Sequence, residues 1–151
     1  MASDVQPDGT VKSDETVFAI VEALQRLDGS GVTALAADLG LAKSTVHKHL
    51  KTLEAHDYVV NDDGVYRIGF RFLSHGGYVR DGTPICNLAR KTVLSLAEET
   101  DELIAFAVLE HQMGMFTFMH NAHYGLREEV HLGERFPLLQ TAAGKAMLAD
   151  L

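Results

Sequence analysis

The run from Leu41 to Leu50, LAKSTVHKHL, and the lysine after it bring together side chains that hold anions: Lys43, Ser44, Thr45, His47, Lys48 and Lys51. At about 100° per residue, Ser44, His47, Lys48 and Lys51 share one helical face, while Val46, Leu50 and Leu53 take the other. The polar face offers hydroxyl, imidazole and ammonium donors and almost no carboxylate. Such a face suits a polyanion. Ammonium groups neutralise phosphates and supply affinity, while short hydroxyls and an imidazole reach base edges or phosphates. An ordinary amphipathic helix with a solvated polar face shows the same pattern, so the surrounding sequence has to decide. Thr33, at the start of the preceding helical pattern, and Arg67, on a later strand, extend the set of candidate DNA contacts.

A second group is Thr141-Ala142-Ala143-Gly144, opening the segment TAAGKAMLADL. A helix start presents unpaired backbone N–H groups and a partial positive charge. Its small side chains would let a carboxylate approach, and they equally suit close packing of the helix on a sheet. Other groups have plainer readings. His111, His120, His123 and His131 fall in strand and loop sequence and read as solvated histidines, so no metal is expected. Met113, Met115 and Met119 read as core filler. Cys86 reads as a small buried residue, and Glu98-Glu99 and Glu128-Glu129 as solvated faces. No nucleophile–base pair or phosphate loop appears. Neither an enzyme nor a cofactor is expected.

The elements around these groups supply context. Val17, Ile20, Val21, Leu24 and Leu27 recur at helical spacing after a cap at Ser13 or Asp14, and Asp28-Gly29-Ser30-Gly31 ends the helix. A short helix follows with Thr33 as its N-cap and Leu35, Ala36 and Leu39 inward. Gly40 turns the chain into the basic helix, which runs to about Ala55. Tyr58–Val60 and Val65–Ile68 read as strands joined by Asn61-Asp62-Asp63-Gly64, a strong hairpin signal. Three helices and a hairpin make a winged helix-turn-helix, whose third helix enters the major groove while the hairpin lies near a phosphate backbone.

Phe70, Phe72 and Leu73 start a linker helix that Gly76-Gly77 weakens, and Asp81-Gly82-Thr83-Pro84 breaks the chain. Residues 85–100 are helical. Leu103–Leu109 is a strand, His111–Gly114 turns it, Met115–Met119 returns, residues 126–132 form a weaker third strand, and Thr141 starts a helix. This order predicts an α+β module with an antiparallel sheet. The expected organisation is a flexible tail over 1–12, a winged helix-turn-helix over 13–69, a linker over 70–84 and a second module over 85–151.

The chain carries a net charge of −8, which looks wrong for a DNA binder. The charge is uneven, however. Residues 41–80 hold six Lys/Arg against four acids, with four histidines, while both flanks are acidic. Local placement sets a binding face, and the acidic remainder favours one docking orientation. Acidity on this scale also suits a high-salt cytoplasm, where self-repulsion is screened. A single cysteine and an N-terminus with no basic or apolar targeting region point to a cytoplasmic protein with no membrane anchor.

Three segments resemble the IclR family of transcriptional regulators: VTALAADLGLAKSTVHKHLKTLEAHDYV over 32–59, YRIGFRFL over 66–73, and GERFPLLQTAAGKAMLADL over 133–151. The last is the most specific, being similar to the family's Gly-x-Arg-x-Pro-Leu-His-x-Thr-Ala-x-Gly-Lys-Ala run. The resemblance implies a winged-helix reader of double-stranded DNA, a linker helix that mediates homodimerisation, and a GAF-like domain binding a small-molecule effector, an organic acid by its chemistry. Leu139-Gln140 stands where the family has its His, and Ala42 where it commonly caps the recognition helix with Ser or Thr. Family members run on for about half a domain more, so the effector domain here is the N-terminal part. The leading expectation is a ligand-responsive dimeric regulator. The alternatives are a reader with an incomplete sensor, acting constitutively or as a dominant-negative partner, and a binding protein whose winged helix makes protein contacts.

Overall fold

The computed structural model describes residues 9–121 and 131–149. These divide into two compact units, one ending at Gly76 and the other beginning at Gly77.

The first unit holds helix α1 (Lys12–Arg26), strand β1 (Ser30–Gly31), helices α2 (Val32–Asp38) and α3 (Lys43–Ala55), and strands β2 (Val59–Asp62) and β3 (Val65–Ile68). The sheet order is β1-β3-β2, all antiparallel. Its core is Ile20, Leu24, Leu35, Val46, Leu50, Leu53, Val59 and Tyr66, with Val17, Leu39 and Ile68 packed against it. Burying one such aliphatic side chain stabilises by about 1.5–3 kcal/mol. This is the winged helix-turn-helix that the hydrophobic spacing predicts.

The helix ends are built alike. After α2, Gly40 adopts φ +64°, the Leu41 amide donates to Ala36 O, and the Gly40 amide donates to Ala37 O. That left-handed turn aims the chain into α3. The ends of α1 and α3 repeat the pattern with Asp28 (φ 51°) and Asp57 (φ 62°) in place of glycine.

The starts differ from expectation. Helix α1 begins at Lys12 after Val11 and α2 begins after Gly31, neither with a side-chain cap. Ser13, Asp14 and Thr33 are therefore within helices rather than capping them. For α2 the cause is β1: Ser30 and Gly31 pair with Tyr66 and Val65, which fixes the chain up to Gly31 and starts the helix at Val32, ahead of Thr33. The predicted tail falls mostly outside the described residues, and Lys12 is already helical.

Helix α4 (Arg71–Asp81) passes through Gly76-Gly77 unbroken and spans the boundary between the units. The second unit continues with α5 (Pro84–Thr100), β4 (Leu103–Glu110), β5 (Met113–Asn121), β6 (Arg135–Pro137), a single 3-10 turn at Leu138–Gln140, and α6 (Ala142–Ala149). The sheet order is β4-β5-β6, antiparallel, with Cys86, Ala89, Val93 and Ala97 of α5 buried. The expected turn over His111–Gly114 is tighter. Only His111 and Gln112 turn, at φ 48° and 61°, and Met113 and Gly114 belong to β5. Two consecutive positive φ values match the twist of a two-residue hairpin.

The third strand is also displaced from the expected 126–132. Residues 126–130 lie outside the described residues, His131 to Gly133 form no strand, and the ladder resumes at Arg135. Three residues ending in Pro137 give almost no periodic signal, and a proline fits an edge. Phe136 lies over Gly114, where a Cβ would meet its ring.

Candidate nucleic-acid interface

Helix α3 presents its polar face as expected. Lys43, Ser44, His47, Lys48 and Lys51 are exposed, opposite the buried Val46, Leu50 and Leu53. Thr45 is half-buried on the flank, which reduces its reach. Thr33 is exposed in the first turn of α2. No side chain caps α3 at Ala42. Its first backbone N–H groups therefore stand open beside Lys43 and Ser44, the arrangement that accepts a phosphate.

The lysines are not equivalent. The Lys51 ammonium donates to Glu54 Oε2 at 2.8 Å. This hydrogen bond holds the Lys51 pKa above the ordinary lysine value and lowers that of Glu54, with Asn61 and His47 lowering Glu54 further. Lys51 thus shares its charge with Glu54 across an exposed pair, unlike the other two lysines of the helix. Lys43 and Lys48 have no carboxylate partner among the described residues. Arg67 lies 3.9 Å from Asp62 across the hairpin, and its carbon stem covers Gly29, where a Cβ would stand 2.7 Å from the arginine Cγ. The wing tip adds Asp63, exposed and at φ 51°. Positive charge therefore concentrates on the N-terminal half of α3 and fades toward its C-terminus and the wing.

One cluster was not foreseen. Tyr58 packs edge-on to Phe72 at 5.0 Å, stacks on His75, and shares a 2.7 Å hydrogen bond between its hydroxyl and His75 Nε2. Arg71 lies over the Tyr58 ring and donates to His56 O. Gly69 donates its N–H to Tyr58 O, and a Cβ there would strike the Asp57–Tyr58 backbone. These contacts tie the first turns of α4 to the wing unit. The Lys51–Glu54 pair had a sequence signal in its i, i+3 spacing. The Tyr58 cluster had none, since its partners lie 13 to 17 residues apart.

At the far end of the chain, Thr141 Oγ1 accepts from the Gly144 amide at 2.9 Å and so caps α6. Gly144 is buried against the 3-10 turn, where a Cβ would land on the Leu138 backbone. Close packing accounts for Gly144, and Ala142 and Ala143 are left exposed at the helix start. No group of three or more His, Cys, Asp or Glu able to hold a metal occurs among the described residues. No helix among them is long and apolar enough to cross a membrane.

Two family models match. The IclR helix-turn-helix domain covers residues 16–63 and the bacterial transcriptional regulator IclR C-terminal domain covers 78–151. The chain belongs to the IclR family. It is similar to the HTH-type transcriptional regulator KdgR of Escherichia coli, at 29% identity over 97% of this chain and 56% of that protein. It also matches an IclR transcriptional regulator from Alicyclobacillus acidocaldarius, with a TM-score of 0.74, 25% identity, and coverage of 93% of this chain and 58% of the other. An IclR homologue from Microbacterium hydrocarbonoxydans, complexed with 4-hydroxybenzoate, shares the fold at a TM-score of 0.67 and 19% identity, covering 88% of this chain and 58% of that one. The chain spans about half the length of the curated relatives it matches. The matched segments are the family's helix-turn-helix and C-terminal domains, and the relatives named here are transcriptional regulators.

Proposed function

We propose that residues 13–69 read double-stranded DNA as one half of a homodimer, that 70–84 join the two protomers, and that 85–151 form the N-terminal part of a domain binding a small organic acid. The observation that carries the DNA reading is the carboxylate-free N-terminal half of α3. Lys43, Lys48 and the open helix start take phosphates there, and Ser44 and His47, with Thr45 at the flank, reach bases. Thr33 and Arg67 make outlying backbone contacts.

The dimer is supported by α4. None of its residues is buried, and Leu73, Tyr78 and Val79, with Phe70 just before it, are largely exposed. A single winged helix with few free cations on an acidic chain gains most from a second half-site on the same duplex. The acid effector is supported by the exposed Ala142 and Ala143 at the start of α6, beside the Thr141 that caps it, and by the hydroxybenzoate held by the solved relative. The compartment that fits a DNA reader is the cytoplasm.

Selection of duplexes from a random pool, followed by binding in competitor DNA, tests the reading. A recovered two-half-site operator, bound by a species of dimer mass, is expected. His47→Ala should relax preference at one or two base positions, at about 1–3 kcal/mol. Unselective binding, or full operator affinity by a monomer, would overturn it.

A further inference from the structure

The second unit contains a cavity of about 120 Å³ between the end of α4, the first turns of α5 and strand β5. It is lined by Arg80, Asp81, Cys86, Asn87, Arg90 and Phe118. Arg90 sets its guanidinium over the Phe118 ring, 5.8 Å from the centroid, and pairs with no carboxylate among the described residues. A cation–π contact of this kind uses the face of the guanidinium charge and consumes none of its N–H donors. Arg80 donates through Nε to Asp81 Oδ1 at 3.2 Å, which leaves its terminal nitrogens. Asn87 donates one amide hydrogen to Asp81 O at 2.9 Å, which fixes the side chain and leaves the other hydrogen. Cys86, 5% exposed, completes the wall on the α5 side. Two guanidiniums thus face one carboxylate, and that carboxylate is already engaged.

We propose that this elbow between α4 and α5 is a binding site for a small oxyanion, the carboxylate of a short organic acid or inorganic phosphate, held by Arg90 and Arg80 with Asn87. A volume of about 120 Å³ admits an anion of this size. Planar, forked donors suit a two-oxygen ligand better than a point charge would. Phe118 presents an apolar floor to the carbon end of an acid. The site is separate from the start of α6, so neither reading depends on the other.

The test is an NMR titration of the ¹⁵N-labelled chain with acetate and with inorganic phosphate, at ionic strength held constant with KCl. Saturable shifts at the Arg90 Nε–H and the Asn87 side-chain amide are expected, with a Kd of about 1 mM, the scale open to a ligand of four or five heavy atoms. Arg90→Gln, at an exposed position that leaves the core intact, should weaken binding at least about tenfold. Arg80→Gln should weaken it less. Saturation by phosphate alone or by acetate alone would still support the site and name its ligand class. Absence of saturable shifts, or shifts that survive Arg90→Gln, would overturn it. Loss of binding in Thr141→Val with retention in Arg90→Gln would overturn it too, and would place the anion at α6.

Discussion

Lys48→Ala tests whether the N-terminal half of α3 is the surface that meets DNA. Lys48 is exposed and free of carboxylates, whereas Lys51 on the next turn is bound to Glu54 at 2.8 Å. Each phosphate neutralised contributes about 0.9 to the slope of log K against log salt. At about 0.1 M salt that corresponds to roughly 1.2 kcal/mol, or about eightfold in affinity, per contact. Lys48→Ala should therefore flatten the slope by about 0.9 for one bound protomer and by about 1.8 for two on one duplex. The size of the change also counts protomers. The Lys51→Met/Glu54→Gln double variant removes a neutral pair and should leave the slope nearly unaltered. Glu54→Gln alone frees Lys51 and should steepen it by up to about 0.9 per protomer. Fluorescence anisotropy on a mixed-sequence duplex between about 50 and 200 mM KCl measures all three. An unchanged slope for Lys48→Ala, together with a flattened one for the double variant, would refute the charge map and move the contact to the C-terminal half of α3.

Four further outcomes are expected. Gly76→Ala and Gly77→Ala, where a Cβ meets nothing within 4 Å, should each stabilise α4 by about 1 kcal/mol, seen as a rise in Tm and helical signal; a fall in both would contradict this. Glu54 has its folded pKa lowered by Lys51, so its contribution is full above the unfolded carboxylate pKa and is lost as pH falls through the lower folded value. Glu54→Gln should flatten that acid limb in pH-dependent unfolding, and an identical limb would show that the pair does not act on stability. Gly144→Ala should destabilise the second unit by about 1–3 kcal/mol through its clash with Leu138, while DNA affinity persists; an unchanged Tm would mean that the turn yields. Thermal stability should rise from dilute buffer to about molar KCl, as repulsion in a −8 chain is screened, and insensitivity to salt would remove the high-salt reading.

The parts of this fold that could be read from sequence are those whose causes are local. Val46, Leu50 and Leu53 fix the buried face of α3 by spacing alone, and Asp63-Gly64 fixes the hairpin by turn chemistry. Strand β1 escaped because two residues carry no period and owe their conformation to Val65 and Tyr66, far along the chain. The same pairing displaced Thr33 from its expected cap. Strand β6 escaped for a related reason, being three residues held by a neighbour. In the interface, residue types showed which side chains carry charge. Which charges were already spent, Lys51 on Glu54 and Arg67 near Asp62, depended on side-chain reach that types alone do not give.

The Tyr58 cluster clamps α4 as far as His75, and the two glycines follow at once. A helical rod gripped at one end and softened just past the grip has its torsional compliance gathered at a single point. In a dimer joined through this rod, twist between the two readers would be taken up at residues 76 and 77, with the rest of the helix staying stiff. The spread of half-site spacings that the pair tolerates on DNA then becomes a property of two codons. In such a dimer, alanines there would narrow the range of half-site spacings accepted, and the glycines would widen it.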